Sequence, residues 1–276
     1  LYPFDLLNVD QEGYDKFSPL PLDLPSLKRA LSHWQSVMHD HGWLALFIGN
    51  HDQPRALSRF GDEEHYSVRS AKLLANAMYF LQGTPYIYQG DEIGMTNPHY
   101  GSLSQFKDVE ALNALREGLD RGDSEERWLK LLNDRSRDGG RAPFSWSADA
   151  YAGFSTTKPW MDPCTNYKDI NAAIEEDDPD SVLNFYRRLL KVRKGLPAVI
   201  YGSTEFLDMD DPELMVYIRR AEGQELISIN NFSGNERSYR LPAGYEAAEL
   251  LISNCGDPII KDGIIDLRPW EAVTLI

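Results

Sequence analysis

Between Trp43 and Asp62 the chain reads WLALFIGNHDQPRALSRFGD, and this stretch constrains the fold more than any other. Its apolar run Leu44-Ala45-Leu46-Phe47-Ile48 is continuous and is bounded by Gly42 and Gly49. Such a run fits a strand buried on both faces, as in a parallel sheet with helical cover. Asn50-His51-Asp52 follow at once. Polar, ionisable side chains are oddly placed there for stability, but the C-terminal rim of parallel strands is where enzymes collect catalytic groups. The same residues also read as the start of a polar loop with Asp52 capping a helix or turn, and the residues alone leave both readings open.

The flanking sequence repeats the pattern. Leu1 to Leu7 is a strand candidate, followed by a loop rich in Asp, Pro and Gly from Asn8 to Pro25. Leu24, Leu27, Ala30, Leu31, Trp34 and Met38 recur at helical spacing up to His41-Gly42. A second helix is marked by Val68, Ala71, Leu74, Ala75, Met78 and Leu81, and Gly83 ends it. Thr84 to Tyr88 is then a short strand opening into Gln89-Gly90-Asp91-Glu92. Strand, helix, strand, helix, strand argues for a parallel sheet with right-handed crossovers. Three such strands leave edges unpaired and a sheet face uncovered, so a further N-terminal segment, on the same or another chain, is expected to complete the fold. The abrupt apolar start at Leu1, without an initiating Met, reads as a strand cut from a longer polypeptide.

From Asn97 to Asp178 the alternation breaks. Two polar helices are expected there, one opened by an Asp123/Glu126 capping box, and residues 134–167 form a long aperiodic stretch of the kind usually packed around a site. Asp178-Pro179 begins a third helix, with Val182, Phe185, Tyr186, Leu189 and Leu190 on one face and basic residues towards its end. After Gly195-Leu196-Pro197 the period becomes two. Short runs at 214–219, 225–230, 238–241, 249–252 and 272–276 predict a small antiparallel β domain.

Charge and cysteine usage exclude several classes. Lys+Arg 28 against Asp+Glu 43 gives a net charge of −15, which opposes nucleic acid and anionic membrane and suits neutral or cationic small ligands. Cys164 and Cys255 stand alone, without a disulfide framework or metal-type spacing. No apolar run reaches a membrane span and no leader pattern is visible, so a cytoplasmic protein is expected.

The chain resembles the C-terminal half of glycoside hydrolase family 13, the α-amylase superfamily, near its oligo-1,6-glucosidase and trehalose-6-phosphate hydrolase branch. FIGNHDQPRALSRFGD, GTPYIYQGDEIGMTN, SRDGGRAPFSW, the AGF and KPW elements at Ala152 and Lys158, and LRPWEAV carry the resemblance, in the family's order and over essentially the whole chain. It implies strands six to eight of a (β/α)₈ barrel at Leu1 to Leu7, Trp43 to Gly49 and Thr84 to Tyr88, within residues 1–200 with an insert at 97–178. It also implies a C-terminal β-sandwich at 201–276.

The resemblance further implies retaining cleavage of an α-glucosidic bond by a nucleophile and an acid/base on strands four and five, both upstream of Leu1. Asp52 matches the third acid, the transition-state stabiliser, and His51 matches a sugar-binding residue beside it. Arg137 matches a sugar-contacting arginine, although a surface salt bridge is a live alternative. Arg55 reads equally as a substrate contact or a loop anchor. Gln89, Asp91 and Glu92 are expected to order the rim, and Trp146, Phe154 and Trp160 to glue the long loop. No cofactor is evident in the chain, and the resemblance allows a structural calcium in the N-terminal part.

Departures from the family sharpen the expectation. Sucrose isomerases of this branch carry an RLDRD-like stretch where this chain has Leu6-Leu7-Asn8-Val9-Asp10, and NHDNPR where Gln53 stands here, so hydrolysis is favoured. The usual RDNARTPMQW is RDGGRAPFSW. The resemblance therefore points to an α-glucosidase of short α-1,6-linked oligosaccharides, with a trehalose-6-phosphate hydrolase as the alternative, to which GMTNPHY and RFGDEEHY lean. A non-catalytic relative like the heavy chains of amino-acid transporters is the reading from another class, and the retained His51 and Asp52 speak against it.

Overall fold

The computed structural model describes residues 1–276. Its first residue already pairs: the Leu1 amino group donates to Trp43 O (3.0 Å) and Leu1 O accepts from the Ala45 N–H (2.8 Å). This is one rung of a parallel ladder. Pro3 has no N–H to extend it, and Phe4–Asn8 turn into a 3₁₀ helix. The strand expected over Leu1 to Leu7 is therefore reduced to its beginning. A hairpin of β1 (Gln11–Glu12) and β2 (Asp15–Pro19) occupies part of the expected loop.

α1 (Leu24–Met38) starts where Asp23 accepts the Ser26 N–H (3.1 Å), with Pro25 in its first turn. Next come β3 (Ala45–Leu46), α2 (Ala56–Phe60), α3 (Ser67–Tyr79) and β4 (Thr84–Pro85). β3 and β4 pair in parallel, through Thr84 N–H to Leu44 O (2.9 Å) and Tyr86 N–H to Leu46 O (2.7 Å). The whole run Leu44 to Ile48 is buried, as its continuous hydrophobicity requires, although only two of its residues are regular strand.

The insert holds α4 (Val109–Asp120), α5 (Glu125–Arg135), α6 (Asp138–Arg141) and α7 (Ala172–Asp177) around a core of its own, including Tyr100, Phe106, Trp128 and Met161. Ser124, not Asp123, caps α5, accepting the Arg127 N–H (3.2 Å); Asp123 instead accepts from the Trp128 indole (3.1 Å). α8 (Val182–Arg193) begins at Ser181, three residues later than the Asp178 start, and lays Val182, Phe185, Tyr186 and Leu189 into the main core beside α3. α9 (Pro197–Tyr201) leads into the β region.

Two antiparallel sheets follow. β5 (Ser203–Leu207), β6 (Leu214–Ala221), β7 (Gln224–Asn231), β9 (Leu250–Ser253) and β12 (Ala272–Leu275) form one, ordered β5-β6-β7-β12-β9. β8 (Arg237–Arg240), β10 (Ile259–Lys261) and β11 (Ile264–Leu267) form the other. Alternation along β6 explains the layering. Leu214, Val216 and Ile218 meet Ile265 and Leu267 of the small sheet, while Met215 and Tyr217 join the helical core with Leu74 and Phe185. The large sheet is thus a middle layer, and no helix of the molecule is long and apolar enough to cross a membrane.

Candidate functional site

The rim of β3 folds back on itself through its own side chains. Asn50 Oδ1 accepts the Asp52 N–H (2.8 Å) and Asn50 O accepts the Gln53 N–H (3.2 Å), an Asx-type turn that projects His51 and Asp52 outward. Their side chains are 70% and 51% exposed. They border an open cleft of about 350 Å³ whose other wall is aromatic. There Tyr2 packs edge-on to Tyr86 (5.3 Å between ring centres) and Phe4 edge-on to Phe47 (5.8 Å). A concave apolar wall facing a few polar groups is the usual composition of a small-ligand site.

Asp52 is held from two sides. His51 Nε2 lies 3.2 Å from Asp52 Oδ2, and Arg141 Nη2 donates to Asp52 Oδ1 (2.8 Å). Arg141 Nε also donates to His51 O (2.7 Å), so one guanidinium fixes both the carboxylate and the backbone that carries it. Sequence reasoning missed Arg141. Its signal was the spacing in RDGGR, which sets Arg137, the residue that opens α6, and Arg141 one helical turn apart.

Arg137 takes a different place from a simple sugar contact. Its Nε and Nη2 both donate to Asp108 Oδ1 (2.9 and 2.5 Å), Glu110 lies 3.3 Å away, and Asp52 Oδ1 is 3.6 Å from Nη1. Burial pushes the Asp108 carboxyl up, but the Arg137 hydrogen bond and charge outweigh it and hold it below its ordinary value. The Asp108 hydrogen bond in turn raises the Arg137 guanidinium. Asp108 is thereby a fixed counter-charge behind both arginines, with Arg141 Nη1 3.8 Å from it. Buried Asp138 anchors this assembly by accepting the backbone N–H groups of Lys107 and Asp108 and the Ser136 hydroxyl (2.8 Å).

Arg55 lies beneath the cleft, not on its surface. It is 1% exposed, donates from Nε to Gly139 O (3.1 Å) and from Nη1 to Gln89 O (2.5 Å), and its N–H reaches Asn97 Oδ1 (2.9 Å). These bonds tie three segments of the rim together, which is the loop-anchor reading. Glu92 accepts the Gly90 N–H (2.7 Å) and so orders the β4 rim. Trp146, Phe154 and Trp160 are all at least half exposed, so the expectation that they glue the long loop does not hold for their faces turned to solvent; only Trp146 has a ring neighbour, Phe144 at 4.6 Å. No cluster of side chains suited to a metal ion is present.

Comparison with known proteins identifies the family. The alpha-amylase catalytic-domain family model matches residues 1–202, and the C-terminal domain model of the alpha-amylase SusG matches residues 214–274. Trehalose-6-phosphate hydrolase of Bacillus subtilis is 40% identical over 99% of this chain and 49% of its own length. Oligo-1,6-glucosidase of Parageobacillus thermoglucosidasius is 39% identical, with the same coverage. The crystal structure of Bacillus licheniformis trehalose-6-phosphate hydrolase superposes with a TM-score of 0.95 at 39% identity, over 99% of this chain and 50% of that one. The chain spans about half the length of the relatives it matches. A catalytic-domain match over residues 1–202, with an acid-bearing rim at the end of a buried parallel strand, shows that the chain belongs to the α-amylase family of glycoside hydrolases, family 13.

Proposed function

We propose that this chain is the C-terminal part of a retaining α-glucosidase that hydrolyses α-1,6-glucosidic bonds of short isomalto-oligosaccharides. Asp52 is its transition-state stabiliser, and His51 and Arg137 bind the glucosyl unit or hold those that do. The observation that carries the reading is the half-exposed Asp52 carboxylate, clamped by Arg141 and His51 at the mouth of an aromatic-walled cleft. In this reading the segments at Leu1, β3 and β4 are barrel strands six to eight, and residues 1–200 and 201–276 are the two domains. The N-terminal half of the barrel, on the same or another chain, supplies the nucleophile and the acid/base.

The chemistry assigned to Asp52 follows from its fixed position. As the glycosidic bond breaks, the sugar ring flattens and gains positive charge, and hydrogen bonds from a preorganised carboxylate to ring hydroxyls strengthen relative to the ground state. Arg141 occupies Oδ1, and a hydroxyl approaching from the cleft meets Oδ2 beside His51 Nε2. Orientation is thus set before substrate arrives, and little reorganisation is left for the reaction itself.

Trehalose 6-phosphate is the second substrate reading, favoured by the 40% identical relative from Bacillus subtilis and by the TM-score of 0.95 to the Bacillus licheniformis enzyme. Assay of the whole protein separates the two. Glucose release from isomaltose is the expected outcome; turnover of trehalose 6-phosphate with none of isomaltose replaces the first reading by the second, and turnover of neither removes both.

A further inference from the structure

Behind the rim, three buried polar atoms have no partner in the protein: Arg55 Nη2, Asp91 Oδ2 and Tyr79 Oη. Their residues are 1%, 7% and 0% exposed. Buried donors and acceptors are satisfied in the great majority of cases, and each one left without a partner costs about 1–3 kcal/mol. Arg55 lies against the backbone next to Asp91, since a Cβ on Gly90 would come within 2.5 Å of Arg55 Nη1 and 3.0 Å of its Cζ, and the Asp91 and Glu92 charges both add to the rise of the buried Tyr79 hydroxyl. Two donors and an acceptor of this kind match the needs of a buried water, which makes two to four hydrogen bonds.

The carboxylate also touches the strand that carries the site. A Cβ placed on Gly49 would come within 2.9 Å of Asp91 Oδ2 and 3.3 Å of Oδ1, so the Asp91 carboxyl group lies directly on the backbone one residue before Asn50. Arg55, which crowds the backbone at the neighbouring Gly90, holds Gln89 O and Gly139 O, the latter in the short helix that delivers Arg141. Asp91 thus touches the strand that carries Asn50, His51 and Asp52, and its neighbour Gly90 meets the guanidinium that holds α6.

We propose that Asp91 is a positioning residue for the His51–Asp52 rim, acting through direct contact with Gly49 and through a buried water that it shares with Arg55 and Tyr79. This rests on the reading of Asp52 as the site carboxylate. The charged and titratable groups facing Asp91 are Arg55 before α2, Tyr79 on α3, Tyr186 on α8 and Glu92 beside it. Burial pushes the Asp91 carboxyl up to about 7, with Glu92 adding to the rise and Arg55 opposing it. A change in its charge is therefore accessible near neutral pH, and a positioning role transmits that change to the rim.

The test uses the whole protein, N-terminal part included, and reads no activity, so its failure is separate from failure of the glucosidase reading. Amide resonances of Gly49, Asn50 and Asp52 are followed by NMR between pH 5 and 9, in the wild type, in Asp91→Asn and in His51→Gln. The expected result is a step with a midpoint near 7 that survives His51→Gln, which removes the imidazole's own titration, and is lost in Asp91→Asn. A crystal structure is expected to hold one water bonded to Asp91, Arg55 and Tyr79. Rim amides that titrate identically in wild type and Asp91→Asn overturn the positioning role. A dry contact between Asp91 and Arg55 overturns the water. If Asp91→Asn does not fold, the wild-type and His51→Gln titrations decide alone: a rim without a step near 7 overturns the proposal.

Discussion

At Asp52 the protein has placed a carboxylate in a setting that favours orientation over stability. It is half exposed, yet Arg141 and His51 both reach it, and Arg141 reaches the His51 carbonyl as well. Asp52→Asn is expected to depress turnover of the whole enzyme by orders of magnitude with little change in melting temperature, whereas Arg141→Ala, which frees the same carboxylate to turn, is expected to lower kcat by roughly a hundredfold. Near wild-type kcat in Asp52→Asn would take that residue out of the site. A second pair, Glu63 and His99 at 3.1 Å, makes a pH prediction of its own. Burial raises the Glu63 carboxyl, but hydrogen bonds from His99 and Ser58 win and lower it below 4.5; the Glu63 hydrogen bond raises His99 above 6.5. The Glu63 contribution is present above 4.5 and fades as pH falls through its lowered value, and that of His99 is present below 6.5 and fades as pH rises through its raised value. His99→Gln is therefore expected to destabilise most between those values and progressively less towards pH 9. Urea midpoints that differ equally at pH 6 and pH 9 would dissolve the pair. The rim position of His51 and Asp52 was legible because they adjoin a buried strand in sequence, while their roles rest on the family resemblance; the contacts that Arg141 and Asp108 make around Asp52 were not, because only the fold brings residues 30 to 90 positions apart together. For Arg55 the sequence left substrate contact and loop anchor equally open, since a charged residue in a motif says nothing of which way it faces, and its burial and its bonds to Gly139 and Gln89 carbonyls favour the anchor.

At the scale of elements, α6 depends most on the two glycines among its four residues. A Cβ on Gly140 would stand 2.5 Å from Gln53 O and 2.9 Å from Asn50 O, backbone atoms that have no room to yield. The missing side chain lets α6 press onto the turn after β3, and that closeness is what carries Arg141 to Asp52. Gly140→Ala is expected to push α6 away at a cost of about 1–3 kcal/mol, and to lose activity through Asp52 without touching it. A crystal structure of Gly140→Ala with the Arg141–Asp52 hydrogen bond intact would defeat that account. The elements that sequence periodicity missed have a related cause. β5 and β10 are edge strands, and β10 and β11 run for only three and four residues, so their alternation is brief, and Leu1 to Leu7 has a strand's composition but a proline at its third position. The long apolar runs and the strongly amphipathic helices α1, α3 and α8 needed no such context and stand close to where their spacing put them.

Across the whole molecule the β region is built into the helical part as a structural layer. The main core runs from Leu24 and Leu31 of α1 through Leu74 and Phe185 to Met215, Tyr217, Leu226 and Ile252 of the large sheet. Polar groups cross the same boundary: Asn76 of α3 donates to Ser228 Oγ (3.1 Å) and Asn230 Oδ1 (2.9 Å) and accepts from Thr274 Oγ1 (3.2 Å). Buried Lys28 donates from α1 to the carbonyls of Asp208 (2.6 Å), Asp211 (2.8 Å) and Leu214 (2.9 Å), and its burial lowers its pKa against the pull of nearby aspartates. Arg219 answers from β6, bonding Ala198, Val199 and Gly202 carbonyls and Gln35 of α1. Boundaries stitched this way are expected to unfold together, giving one calorimetric transition for this part of the whole enzyme. Lys28→Met keeps the apolar stem but strips three carbonyls of their donor, at a cost on the order of 3 kcal/mol. That loss is expected to lower the single transition by several degrees without splitting it. Two resolved transitions in Lys28→Met, with the upper one unmoved, would mean that the sheets are stable alone and that the shared core is a contact between independent domains.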